Sequence, residues 1–186
     1  MAKLIYDAFT SLDGYVADEA GNFDWAELDE EVHAFINSRE EQIGTYLFGR
    51  KMYETMAVWE TPDVLRYLTA AALEYAPIWQ AAEKIVYSTT LQTVSTAKTR
   101  LERRFEADVV RELKAGATRD IAVGGPTLAA HAIRAGLVDE YDLLIAPIIA
   151  GGGNPYLPGK VSVKLELLDE RTFDNGIVHI RYRAKS

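Results

Sequence analysis

The stretch Ile121-Ala122-Val123-Gly124-Gly125-Pro126-Thr127-Leu128 constrains this chain more than any other. Its apolar start reads as the end of a buried strand, and Pro126 suits the first position of a helix, where a missing N–H costs nothing. The two glycines therefore occupy the hinge, where the backbone takes dihedrals closed to other residues and a second group approaches the main chain closely. A helix N-terminus fed by such a turn presents free N–H groups and a partial positive charge, which suits a phosphate. A tight turn serving packing alone has the same sequence, and both readings stand at this point.

The remainder of the chain alternates strand and helix around this unit. Residues 4 to 10 read as a central strand, followed by the loop Ser11-Leu12-Asp13-Gly14. Asp13 either caps the turn at Gly14 or sets a carboxylate at the carboxyl end of a strand, where open α/β sheets hold ligands. Residues 15 to 28 read as irregular, and Trp25 within them either seals the core edge or forms a flat wall for a ring. Asp29 caps a helix that turns Val32, Phe35 and Ile36 inward and leaves Glu30, Glu31 and His33 in water. Residues 45 to 48 form a strand that delivers Gly49-Arg50-Lys51 to the start of a helix carrying Met52, Tyr53, Met56 and Trp59. Two cations at a helix N-terminus are locally unfavourable, which makes sense if an anion binds there; otherwise both side chains extend into water.

Residues 65 to 76 read as a second helix, broken or kinked by Pro77. Residues 84 to 87 form a strand with Ser88-Thr89-Thr90 beyond its end, three hydroxyls suited to a ribose or phosphate or to an ordinary loop. An edge strand over 99 to 105 precedes a helix capped by Asp108, with Val109, Val110 and Leu113 on its apolar stripe and Gly116 at its close. The helix after Pro126 runs to Ala135 and ends at Gly136; His131 on it reads as a surface or core-edge histidine. The apolar run from 141 to 150 is interrupted by Asp142 and Pro147 and ends at Gly151-Gly152-Gly153. Residues 163 to 173 and 177 to 183 form a hairpin about Asn175-Gly176, with Val178, Ile180 and Tyr182 buried and His179, Arg181 and Arg183 wet. This order predicts a mixed sheet covered by helices on both faces.

Composition narrows the function. At 186 residues the chain fits one domain, 1–186, and 48% hydrophobic with 26% charged residues is a globular balance. With no cysteine, thiolate catalysis and cysteine metal sites are excluded, and the lack of a His-x-Glu signature speaks against a deaminase. No metal site is expected. A formal charge of -8 argues against nucleic-acid and membrane partners, so an anionic cofactor has to be held locally by a few cations and amides. No signal peptide or spanning stretch is evident, and a cytoplasmic location follows as the expectation.

The order of the motifs is more specific than any one of them. Ser11-Leu12-Asp13-Gly14, Gly49-Arg50-Lys51, Ser88-Thr89-Thr90-Leu91, Val123-Gly124-Gly125, Gly136-Leu137-Val138-Asp139-Glu140 and Ala146-Pro147 recur together in one family. Over residues 4 to 183 the chain resembles the dihydrofolate reductase superfamily, closest to the branch containing the reductase domain of bacterial riboflavin biosynthesis. The resemblance implies an α/β three-layer fold with a central, mostly parallel mixed sheet, helices on both faces and a C-terminal antiparallel hairpin. It also implies NADPH, or NADH, bound along the carboxyl edge of the sheet. By likeness Gly49, Arg50 and Lys51 meet phosphate, and Ser88, Thr89 and Thr90 lie near the adenosine ribose. Gly124, Gly125, Pro126, Thr127 and Leu128 face the pyrophosphate and nicotinamide ribose, across a Gly124–Gly125 bond that is cis in typical members. The loop from 9 to 17, ending at Ala17, lies against the nicotinamide.

Thr89 stands where close relatives often carry an arginine suited to a 2′-phosphate; Arg50, Lys51 and Arg100 are the other cations able to supply that charge. The carboxylate with which dihydrofolate reductases grip a pterin has only Glu30 as a rough positional match. The function implied is hydride transfer from the nicotinamide cofactor to a small pteridine-like or pyrimidine-like heterocycle. Asp13 is the first candidate for proton supply or substrate grip, with Trp25 and Tyr53 as walls. The partners expected are that small molecule and a second copy of the chain, as a homodimer. The alternative is a non-catalytic nucleotide-binding module that kept the reductase fold.

Overall fold

The computed structural model describes residues 1–25, 28–66 and 68–185. Leu4–Thr10 forms β1, and the short strand β2 (Tyr15–Ala17) follows the Asp13 turn. Helix α1 (Glu30–Glu40) starts as the sequence predicts, with the Asp29 carboxylate accepting the Val32 N–H at 2.9 Å. Strand β3 (Ile43–Gly49) leads directly into α2 (Arg50–Met56), a 3-10 turn (Ala57–Glu60), the one-turn α3 (Pro62–Leu65) and then α4 (Ala70–Ala81). Strands β4 (Glu83–Tyr87) and β5 (Thr99–Glu102) precede α5 (Ala107–Gly116), β6 (Asp120–Gly124) and α6 (Pro126–Arg134). The chain closes with β7 (Glu140–Ile145), the two-residue β8 (Asn154–Pro155), β9 (Leu165–Thr172) and β10 (Val178–Ala184).

Eight strands make one sheet in the order β5-β4-β3-β6-β1-β7-β10-β9, while β2 and β8 pair antiparallel beside it. All pairings from β5 to β7 are parallel, and β10 runs antiparallel to both β7 and β9. The parallel strands therefore end on one edge, at Thr10, Gly49, Tyr87, Gly124 and Ile145, where open α/β sheets hold ligands. Period-2 alternation divides the core between the faces. Leu4, Tyr6, Leu47, Ile121 and Val123 pack under α6 against Leu128, Ala132 and Ile133. Ile5, Tyr46, Phe48, Val86 and Ala122 pack on the other face under Tyr53, Tyr75 and Trp79, and Val32 of α1 closes a smaller cluster with Leu144 and Phe173. This is the three-layer architecture that the motif order implied.

Four local expectations are corrected. Pro77 lies inside α4 and does not end it: the lost N–H is offset by burial of Tyr75, Ala76 and the fully enclosed Trp79, and the helix begins at the Thr69 cap, not near 65. Asp108 is in the first turn of α5 and pairs with Arg111; the cap position is Glu106, without a side-chain cap bond. His179 is sealed from solvent, because α1 covers the face of β10 that alternation assigned to water; it stacks edge-on against Phe35 and bonds Asp142 Oδ1 at 2.6 Å. Among the described residues no peptide bond is cis, and the turn at Gly124–Gly125 is made by a positive φ of 89° at Gly125. Ala26 and Glu27, in the stretch read as irregular, and Tyr67, in the expected second helix, lie outside the described residues.

Candidate active site

Along the carboxyl edge runs a single open cavity of about 1480 Å³. One end gathers the glycine-hinged helix starts. Gly49, Arg50 and Lys51 line it from the β3–α2 junction, and Gly125, Pro126, Thr127 and Leu128 line it from β6–α6. Gly124 sits just behind, buried, where an added Cβ would meet the Phe48 ring at 2.8 Å. In the first turn of α6 the Thr127 and Leu128 N–H groups have no helical acceptor, a supply of donors next to a cavity.

Ser88 and Thr89 complete this end. The Ser88 hydroxyl accepts the Leu91 N–H at 2.9 Å and the Thr90 N–H at 3.2 Å, which folds 88 to 91 into a tight loop. Arg50 ties that loop to α2 by donating to Thr90 Oγ1 at 3.2 Å and to Glu54 at 2.7 Å. Thr90 itself does not line the cavity. Four further residues here carry no motif: Arg103, which donates to the Ser88 and Leu91 carbonyls, and the aromatic series Tyr87, Phe105 and His131, in which the first pair is tilted and the second stacked. Arg100, one of the expected alternative cations, instead pairs with Glu102 on β5 away from the cavity, so Arg103 is the cation of this segment that faces it. The edge-strand alternation could have separated them, since both lie in the 99–105 run.

The inner end lies between β1 and α1, with Ile5, Phe9, Ile36, Met56, Trp59 and Leu144 as apolar lining and Asp7, Asn37, Arg39, Glu40, Asp142 and Arg181 as polar lining. His33 also lines it, and burial pushes its imidazole below the usual value. Asp7, within the otherwise apolar β1, and Glu40, at the end of the polar α1, carry no motif that marks them in the sequence.

Asp13, Trp25 and Tyr53 are not among the cavity-lining residues. Asp13 accepts from the Ser11 hydroxyl at 2.7 Å and from the N–H groups of Ala150 and Gly151 at 2.9 and 2.8 Å. The Ser11 bond, followed by the Ala150 N–H, holds its carboxyl below the usual range. Its place is a brace between the β1 loop and the triple-glycine loop. The Tyr53 hydroxyl takes the Ser95 and Thr96 N–H groups, fixing the strand-4 to strand-5 connection, and Trp25 is half-buried outside the cavity. Ala17 does line the cavity, where β2 pairs with β8 to form its roof. Thus the residues expected to hold a dinucleotide, apart from Thr90 and Gly124, meet around one cavity, while of the three expected substrate residues Asp13 and Tyr53 brace loops and Trp25 lies outside the cavity.

Comparison with known proteins settles the family. Residues 2–179 match the model of the RibD C-terminal domain. The chain belongs to that family. It is 29% identical over 188 residues to YyaP of Bacillus subtilis, an uncharacterized protein, covering 97% of this chain and 94% of the relative. Among solved structures it is similar to a putative riboflavin biosynthesis protein from Shewanella sp. PV-4, with a TM-score of 0.75, 21% identity and full coverage of both chains. It also matches dihydrofolate reductase from Enterococcus faecalis complexed with NADP(H), with a TM-score of 0.65 and 13% identity over 99% of this chain and 97% of that one. The dihydrofolate reductase-like fold is thereby established, and the RibD family places the chain among reductase-like proteins. No described helix is long and apolar enough to cross a membrane.

Proposed function

We propose that this protein is a single-domain, cytoplasmic reductase that uses NADPH to reduce a small nitrogen heterocycle. What carries the reading is the continuity of the cavity: the cationic, glycine-hinged end and the apolar inner end form one space in which two ligands meet. When bound, the reduced nicotinamide supplies the hydride. The donor set fits a dinucleotide, with Arg50, Lys51 and Arg103 for its phosphates, the α6 first-turn amides for the pyrophosphate and Phe105 with His131 for a flat base. Phe9, Met56 and Trp59 exclude water from the inner end, where a ring lies flat against them. The part of Asp13 in this reading is to hold the roof.

Arg103 bears on cofactor choice. Arg103→Ala is expected to weaken NADPH binding by about 1.5 to 3 kcal/mol, the scale of a hydrogen bond to a charged group, and to leave NADH binding nearly unchanged. Calorimetric titration with both dinucleotides checks this; equal losses would mean that Arg103 only braces the 88–91 loop. The function is tested by NADPH oxidation with a panel of pterins and pyrimidines. Tight dinucleotide binding with no turnover across the panel would favour the non-catalytic module.

A homodimer belongs to the same reading, and what supports it is β9. All eight of its residues are exposed, including Leu165, Leu167 and Leu168, and it forms a sheet edge with unpaired backbone groups. Leu165 and Leu167 stand opposite Ala184 and Tyr182, extending an apolar face that a second copy would cover. Light scattering is expected to give a dimer for the parent and a monomer for Leu167→Glu; a monomeric parent would remove the second copy from the account.

A further inference from the structure

A second, smaller cavity of about 460 Å³ opens at the amino edge of the sheet, opposite the edge at which the parallel strands end. Topology makes it cationic. Because β10 runs antiparallel to β7, its end carries Arg183 and Lys185 back to the place where Lys3 leads into β1 and Glu140 opens β7. Ile133, Val138 and Val163 give the same cavity an apolar side.

Both carboxylates of the lining are already held. Asp139 accepts the Leu4 N–H at 2.7 Å and stands 2.6 Å from Lys114 Nζ. Glu140, only 1% exposed, accepts from Arg181 Nε at 2.6 Å through Oε2. Its Oε1 has Lys3 Nζ at 2.8 Å but receives no hydrogen bond, so that contact is a side-on meeting of charges. The cations are less committed. Lys3 is half-exposed, and that carboxylate does not take up its N–H groups. Arg183 stands 3.7 Å from Glu166, beyond hydrogen-bond range, and Lys185 has no ion-pair partner among the described residues. In a chain of formal charge -8, three loosely held cations around one cavity concentrate positive potential where an anion would be drawn in.

Glu140 joins this cavity to the larger one. Arg181, which it holds, lines the larger cavity, and Arg181 Nε lies 3.7 Å from Asp142 Oδ2, which Arg39 takes at 2.6 Å. Lys3, Glu140, Arg181 and Asp142 thus form one chain of alternating charge along the α1 face of β7 and β10, with its middle members nearly sealed from water. Charges so poorly screened feel one another strongly. A change at Lys3 therefore alters the hold of Glu140 on Arg181.

We propose that the amino-edge cavity is an effector site for a small organic anion, an apolar body bearing a carboxylate, held by Lys3, Arg183 and Lys185 and sensed at the larger cavity through Glu140 and Arg181. The bound carboxylate takes Lys3 away from Glu140. Left with Arg181, Glu140 draws that guanidinium further from Asp142, so the two states differ in whether Lys3 faces Glu140 or the ligand. Nothing in this arrangement depends on which reaction the larger cavity serves.

Benzoate is the probe, benzamide its uncharged counterpart of nearly the same shape, and inorganic phosphate the anion without an apolar body. Calorimetry on the full chain at pH 7 and low salt is expected to show benzoate binding at least about tenfold more tightly than either. Arg183→Gln, at a residue that does not line the larger cavity, is expected to weaken benzoate about threefold or more and so to place the site. In the parent the Arg181 Nε–H resonance, followed by NMR, is expected to move as benzoate is added. In Lys3→Gln it should start at a different position and move little. Circular dichroism checks folding; should Lys3→Gln not fold, Arg183→Gln and the Arg181 resonance of the parent still decide. No benzoate binding, benzamide or phosphate binding as tightly, an unchanged affinity in folded Arg183→Gln, or an Arg181 resonance that stays put at saturating benzoate would each overturn the proposal. Failure of NADPH to bind would sink the reductase reading and leave every one of these results in place.

Discussion

Gly125→Val is expected to abolish measurable nicotinamide dinucleotide binding in a protein that still folds. Gly125 holds φ at 89°, a conformation that costs a non-glycine residue about 1 to 3 kcal/mol, and more for a β-branched one. Its added Cβ would lie 3.4 Å from Met52 Cβ, so the two methyls of valine would crowd α2 and the cavity at the point where a phosphate has to approach the main chain. The strain should lower the melting temperature by several degrees, at about 2 to 4 °C per kcal/mol for a chain of this size. The loss of binding should be out of proportion to that. Calorimetry with NADPH on the folded variant decides it, and retained affinity would mean that the turn serves packing only.

Gly153→Ala should be the most damaging single methyl in the cavity roof. The Cβ would lie 2.1 Å from the Ala17 carbonyl oxygen and 2.7 Å from the Asp18 carbonyl carbon, and φ is 128°. Both obstacles are backbone, so neither can swing aside as a side-chain tip would. Strain and overpacking together are expected to cost about 3 to 5 kcal/mol, either as a lower melting point or as opening of the β2–β8 pair. Gly152→Ala is the control, since its Cβ meets only the flexible Glu19 carboxylate at 3.2 Å. If Gly153→Ala melts with the parent and keeps its ligand affinities, the contact between these two segments is not what shapes the roof.

The strands and most helices were legible in the sequence because their signals are local. Asp29 caps the helix that follows it, Pro126 opens α6, and the Asn175-Gly176 turn joins β9 to β10. Pro77 and His179 depart from their local patterns because of what distant strands and helices bring to them: the sheet buries Tyr75 and Trp79 and keeps α4 whole through the proline, and α1 covers His179. The end proposed to hold the dinucleotide carries local signals in the sequence, glycine hinges and hydroxyls at strand ends. Its aromatic and Arg103 components carry none, since Phe105 and His131 meet only after α5 and β6 have folded between them. Least visible was the inner end. Asp7 lies within an apolar run and Asn37 within a polar one, and only the packing of α1 on β1 sets both against one cavity.

The Asp13 brace makes the roof a two-part fixture. Ser11 and Leu12 send their N–H groups to the Tyr15 and Ile148 carbonyls, Tyr156 sends its N–H to the Gly14 carbonyl, and Asp13 takes those of Ala150 and Gly151. Segments nearly 140 residues apart in sequence thus share one set of donors and acceptors. Neither can be exchanged for a differently shaped loop without stranding the groups of the other. Divergence of this roof toward new ligands has to proceed as paired replacement of both segments, a cassette written in two places in the gene.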